Sequence, residues 1–231
     1  IEYSTECGIK DFQYRMYTFS MSEANNDYLW KNYTDGRSGI SICFDDADNI
    51  FDGEKEVYAK RYGSIKLKDG IVLWHGKVVY DYMTKKRCLK SLIDDIYEIY
   101  KEATTQIDDF RPYIVSAYKE ALNNTRCFMK NDYFRNEKEY RFVAKVPVYL
   151  IGQYNLDNDR GKKQWKIGTF PRDNLMVPYL DYEFNNNSLS YIIMNPYIIE
   201  KDSLFERSVH DICLLLGFSD VKVKKSNIIF L

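Results

Sequence analysis

Two periodicities divide this chain and leave few architectures open. Apolar and polar residues alternate at period two over residues 17–21, 39–44, 140–146 and 221–224, the pattern of half-buried strands, and 190–194 is a further strand stopped by Asn195-Pro196. Between the early and late segments, Leu89, Leu92, Ile93, Ile96, Tyr97 and Tyr100 recur three and four apart, which predicts a helix with one apolar face. A second helix is expected over 112–123, with Tyr113, Ile114, Ala117, Tyr118 and Leu122 on one face and Pro112 in its first turn. The two are expected to pack as an antiparallel pair. Later, Ser203 and Glu206 have capping-box spacing, and the helix they open carries Val209, Ile212, Cys213 and Leu216 before Gly217. Asn25, Asn26 and Asp27 are placed to cap a short helix bearing Tyr28, Leu29, Trp30 and Tyr33. Residues 71–74 and 77–80 flank His75 and Gly76, which reads as a hairpin. Asp35-Gly36 and residues 157–163 read as turn or loop. The expectation is an α+β fold: a mainly antiparallel sheet, a helical pair inserted mid-chain, and a C-terminal strand–helix–strand. At 231 residues the chain is expected to form a single domain over 1–231.

Charge and cysteine usage remove several function classes. Lys plus Arg number 33 and Asp plus Glu 34, a net charge of −1, without the basic excess of a protein that coats nucleic acid. No apolar run approaches the ~20 residues that a bilayer requires, and no leader pattern is visible, so a cytoplasmic chain with no membrane contact is expected. The sequence begins at Ile1 rather than Met, which is read as a processed, trimmed or partly expressed form. Five cysteines, widely spaced and without C-x-x-C, read as reduced core residues rather than a disulfide framework or zinc site. No metal site is assigned. His75 and His210 are the two histidines, and neither has a spaced partner. Aromatics reach 16%, a bias that also arises in AT-rich genomes.

Three constellations carry candidate chemistry. Glu137 and Glu139 lie two apart at the start of a strand, where residues two apart share a face. They are read either as a solvated charged edge or as carboxylates at the mouth of a cleft, with Arg141 as a cation on the same face. Two acids so close raise one another's pKa unless a cation intervenes. Thr18, Ser20 and Ser22, followed by Glu23, set hydroxyls on one side of an earlier strand. Trp30 and Tyr33 form either core or a platform for a ligand ring. Gly36 and Gly39 around Arg37 and Ser38 are a weak phosphate-loop signal. No Walker loop, dinucleotide glycine fingerprint or H-E-x-x-H occurs.

Taken in order, these segments resemble a bacterial family known as domain of unknown function 2971. The similarity rests on Phe19-Ser20-Met21-Ser22-Glu23, Leu29-Trp30-Lys31-Asn32-Tyr33 and residues 36–44, then Glu137-Lys138-Glu139-Tyr140-Arg141, then the C-terminal strand–helix–strand through Ser226. Asn195 stands where the family usually has glycine. The family usually carries an upstream segment that is not found here, so the form read here is expected to lack it. The layout is similar to that of ADP-ribosyltransferases, which place an Arg or His on an early strand, hydroxyls on a second and a glutamate on a later one. That similarity implies an NAD-consuming enzyme of a defence or toxin module, with NAD as substrate. Glu139, Glu137 and Ser20 would then be catalytic, and Trp30, Tyr33, Arg141 and Glu23 would contact the nucleotide. The early Arg or His would fall in the upstream segment. The acceptor would be a protein or nucleic acid, and a partner protein encoded beside it in the same operon is a further expectation. Two other readings stand beside this one: a non-catalytic sensor or interaction domain in a phage-defence or stress module, and a carboxylate- and metal-dependent nuclease.

Overall fold

The computed structural model describes residues 14–34, 39–57, 63–67, 71–104, 111–148, 165–172, 174–197 and 202–228. The predicted turn at Asp35-Gly36, the Arg37 and Ser38 positions, Cys7 and the 157–163 loop lie outside these residues. The main sheet has the order β1-β6-β5-β4-β3 and is antiparallel throughout. Its strands are β1 (Tyr14–Ser22), β3 (Glu54–Val57), β4 (Gly63–Lys66), β5 (Val72–Lys77) and β6 (Glu139–Pro147). A second sheet joins β2 (Ile40–Phe44), β9 (Leu189–Met194) and β10 (Lys222–Lys225) in the order β10-β9-β2. There β9 runs antiparallel to β2 and parallel to β10. Strands β7 (Trp165–Arg172) and β8 (Leu175–Tyr182) form a separate hairpin. The helices are α1 (Asp27–Tyr33), α2 (Tyr82–Thr104), α3 (Arg111–Arg126) and α4 (Asp202–Leu215). The fold is α+β and mainly antiparallel.

Period-two alternation explains how each sheet is covered. On one face of β6, Phe142, Ala144 and Val146 join Ile50, Ile65 and Leu73 in the largest core, and the hairpin lays Ile167, Leu180 and Tyr182 against it. On the other face Arg141 and Lys145 turn toward α3: Arg141 donates to the Cys127 carbonyl just past that helix, and Lys145 pairs with Glu120 within it. Helices α2 and α3 pack on each other. In the small sheet, neighbours Ile192 and Ile193 point opposite ways. Ile192 meets Val209 and Cys213 of α4, and Ile193 meets Trp30 of α1. Helix α4 ends as predicted, with Gly217 at φ +84° and the Phe218 N–H returning to the Cys213 carbonyl at 2.8 Å. It begins at Asp202, so Ser203 lies inside its first turn rather than at the cap. Among the described residues no helix is long and apolar enough to cross a membrane. Cys43, Cys88, Cys127 and Cys213 are not joined in disulfides.

One sequence expectation fails here. His75 and Gly76 are not a turn, because β5 runs unbroken from Val72 to Lys77. The His75 ring is buried at 4% exposure and lies over Gly63, its partner across the sheet. It stacks on Phe142 at 5.5 Å and shares a 2.7 Å hydrogen bond with the Tyr140 hydroxyl. Burial pushes the Tyr140 phenol up to about 12 and pulls the His75 imidazole down, against the opposing pull of Asp48. A turn signal read from His-Gly is local, whereas the slot that accepts the ring comes from another strand. A Cβ at position 63 would lie 2.3 Å from the ring, so Gly63→Ala is expected to cost about 1–3 kcal/mol, as overpacking does. Urea denaturation checks this, and an unchanged midpoint would contradict the packing.

Candidate functional site

Backbone pairing builds this site before any side chain is considered. Strands β1 and β6 are neighbours, and their register sets Ser20 opposite Arg141 and Ser22 opposite Glu139. Glu139 is pinned on both backbone groups. Its N–H donates to the Tyr80 hydroxyl at 2.9 Å, and its carbonyl accepts from the Val78 N–H at 3.0 Å. The chain leaving α3 is held against the same stretch: the Val79 N–H donates to the Phe128 carbonyl, and the Lys130 N–H returns to the Val79 carbonyl. These contacts deliver Lys130 to Glu139.

Glu137 arrives differently from the way its spacing predicts. It ends a 3₁₀ turn, Asp132–Glu137, capped by the Asn131 side chain. Lys138 follows in the left-handed conformation, at φ 47° and ψ 48°. The two acids therefore do not share a strand face. They converge because the chain reverses between them, and the Lys130 ammonium lies between them, 2.6 Å from Glu137 Oε2 and 2.5 Å from Glu139 Oε1. Lys130 was not picked out in the sequence. It precedes Glu139 by nine positions, and its only nearby signal is the turn-capping Asn131.

Each acid has further partners. Ser20 Oγ donates to Glu139 Oε2 at 2.9 Å, and Arg141 Nε and Nη2 donate to the same oxygen at 3.1 and 2.6 Å. Tyr33 Oη donates to Glu137 Oε1 at 3.1 Å. Both acids are nearly buried, with 4% of Glu137 and 7% of Glu139 exposed. A buried carboxylate needs such partners to stay charged. Burial alone pushes the Glu139 carboxyl up, but hydrogen bonds from Lys130, Arg141 and Ser20 outweigh it and hold the group down at about 2. The Lys130 ammonium is likewise pulled down by burial and raised by its two carboxylates, with a net rise.

The remaining candidates take different places. Trp30 is buried at 4% exposure and donates its indole N–H to Asn25 Oδ1 at 3.1 Å. Its ring belongs to the core of the small sheet, while its edge reaches the large cleft. Glu23 is exposed and pairs with Lys138 at 2.7 Å. Ser22 donates to the Glu137 carbonyl at 2.7 Å, and the Asn26 side chain bonds both Ser22 and the Asn136 carbonyl. Together these tie α1 to the 3₁₀ turn.

Two hollows adjoin the network. The larger, about 1090 Å³, runs between β1 and the hairpin and has Ser20, Ser22 and Tyr33 in its wall. The smaller, about 290 Å³, takes in Glu139 with Ser22, Lys77 and Tyr80. Glu139 therefore stands beside the large cleft, and Ser20 links it to that space. Chemically the arrangement is an ionised carboxylate with a cation on each oxygen, Lys130 on Oε1 and Arg141 on Oε2, and with the accessible Ser20 hydroxyl sharing Oε2.

The sign of the Glu139 shift fixes a pH dependence. A carboxyl held below its ordinary 4.5 stabilises the fold above that value, and the contribution drains away as pH falls from 4.5 toward about 2. Glu139→Gln is expected to be less stable than the parent chain at pH 7. The gap between the two should narrow across that window in urea midpoints, and a gap independent of pH would contradict the assignment.

The matching family model lends this network a context. No curated protein and no solved structure matches the chain. The family model described as "Protein of unknown function (DUF2971)" matches residues 29–142, a stretch that holds Tyr33, Lys130, both glutamates and Arg141 and stops short of Ser20 on its N-terminal side. Through that stretch the chain belongs to the DUF2971 family.

Proposed function

We propose that this chain is an ADP-ribosyltransferase-like enzyme that consumes NAD in the cleft beside β1. The observation that carries the reading is the hydrogen bond from Ser20, exposed in the cleft wall, to the ionised Glu139 on the adjacent strand. Breaking the nicotinamide–ribose bond sends the bonding electron pair to the nicotinamide nitrogen and leaves oxocarbenium character on the sugar carbon. A fixed negative charge nearby stabilises that carbon. Ser20 donates to Glu139, so its own oxygen is free to accept from a ribose hydroxyl and couple the sugar to the carboxylate. The acceptor's nucleophilic oxygen or nitrogen then bonds to the sugar carbon and gives up a proton. That proton passes to solvent water, because Glu137 is buried with one oxygen accepting from Tyr33 and the other from Lys130, and it lines neither hollow.

A second reading has its own observation. Both oxygens of Glu139 are already occupied by cations, as they would be in a network that only braces the junction of β6, α1 and the 3₁₀ turn. In that case the chain is a sensor or interaction domain and its cleft performs no chemistry.

The readings separate on nicotinamide release from NAD by the purified chain, offered water, protein and nucleic-acid acceptors. Release is expected. It should fall about 10²–10³-fold in Glu139→Gln, and by a smaller factor in Ser20→Ala, which loses a single hydrogen bond. Absence of release with every acceptor overturns the enzymatic reading.

A further inference from the structure

Helix α1 is too short to hold its own place. It has seven residues, and a helix of that length is not stable in water by itself, so its position is set by what ties it down. That position shapes the site. Asn25, Asn26, Leu29, Trp30, Tyr33 and Thr34 form one wall of the large cleft, and Tyr33 is the donor to Glu137. At the far end of the helix the Asn195 side chain donates to Thr34 Oγ1 at 2.9 Å. At the near end Asn26 holds the 3₁₀ turn through the Asn136 carbonyl. A further tie comes from beyond β10. Asn25 stands just before the helix in the left-handed conformation, at φ 61°. Its Oδ1 accepts from the Trp30 indole N–H at 3.1 Å and from the Ser226 hydroxyl, and its Nδ2 donates to Asn227 Oδ1. Ser226 Oγ in turn accepts from the Ile228 N–H at 3.2 Å, and Ile228 packs on the core that holds Trp30.

We propose that residues 226–228 are a latch that sets the α1 wall of the cleft, with Asn25 as the positioning residue through which it acts. While the latch is engaged, Trp30 stays in the wall and Tyr33 stays on Glu137. When it lets go, the buried Trp30 indole N–H loses its acceptor, which costs free energy until the ring moves. The wall then opens locally, as short segments held by few contacts do. The pairing of β1 with β6 does not pass through the latch, so the sheet that carries Ser20 and Glu139 stays closed. The cleft is thus adjusted from a point 201 positions away in the chain. The inference concerns the wall and no reaction, so it stands apart from the NAD reading and goes beyond it.

The test is amide hydrogen exchange on the full chain, read residue by residue by NMR at several low urea concentrations. In the parent chain the amides of Trp30 to Tyr33 should exchange faster than those of Phe142 and Val143, through an opening that urea does not promote, the mark of a local rather than a global event. Asn25→Gly is the informative variant, because glycine takes the left-handed backbone without strain and only the side chain's bonds are lost. It should speed exchange of the α1 amides about tenfold, the effect of one net hydrogen bond, and leave that exchange independent of urea. Ser226→Ala, at the other end of the latch, should speed the same amides, and the double variant should fall short of the product of the two effects. Exchange of α1 only by global unfolding, an unchanged α1 rate in Asn25→Gly, or fully independent effects of the two substitutions would each overturn the proposal. None of these results touches the nicotinamide-release assay, which stands or fails by itself.

Discussion

A single ammonium group holds the candidate site of this protein together. Lys130 sits between two glutamates that are almost out of water, and Glu139 could not remain charged there without a cation. Arg141 and Ser20 complete the set on Glu139, and Tyr33 does so on Glu137. The participants come from β1, α1, β6 and the chain after α3, so four separate parts of the fold meet in one ionic cluster. Such clusters contribute less to net stability than their short distances suggest, because desolvation offsets much of the attraction. Their stronger consequence is geometric. Each partner removes a rotamer from the others, and the Glu139 carboxylate is left in one place with its charge intact.

The fold was largely legible from pattern, and the site only in part. Strands β1, β2, β6 and β10 and helices α2 to α4 follow the two periodicities, α1 follows its capping asparagine, and β9 is an apolar run covered on both faces. Arg141 was also readable, since period two puts it on one face with Glu139, whereas the pairing that brings Ser20 beside it is a long-range contact that spacing does not carry. Glu137 was misplaced for a physical reason: Lys138 adopts a left-handed conformation that glycine or asparagine usually signals, so the spacing looked like an unbroken strand. Lys130 was invisible because it is delivered by backbone pairing with Val79, a contact between distant parts of the chain. His75 was misread for a related reason, as its slot depends on Gly63 of another strand.

The cleft and the ionic cluster are neighbours that do different work. Aromatic residues from β1 and the hairpin shape the space, and the cluster sets the charge at its edge. Ser20 and Tyr33 belong to both, since each lines the cleft and donates its hydroxyl to one of the two glutamates. Among the described residues β1 is one edge of its sheet.

All of this depends on Glu139 being an ionised carboxylate at every pH at which the protein is folded. Carbon-detected NMR of the glutamate side-chain carboxyls through an acid titration measures that directly. The account predicts a Glu139 resonance that stays in its ionised position until pH approaches about 2. A midpoint at or above the ordinary value of 4.5 would mean that Lys130 and Arg141 do not hold the charge, and the site as described would not exist.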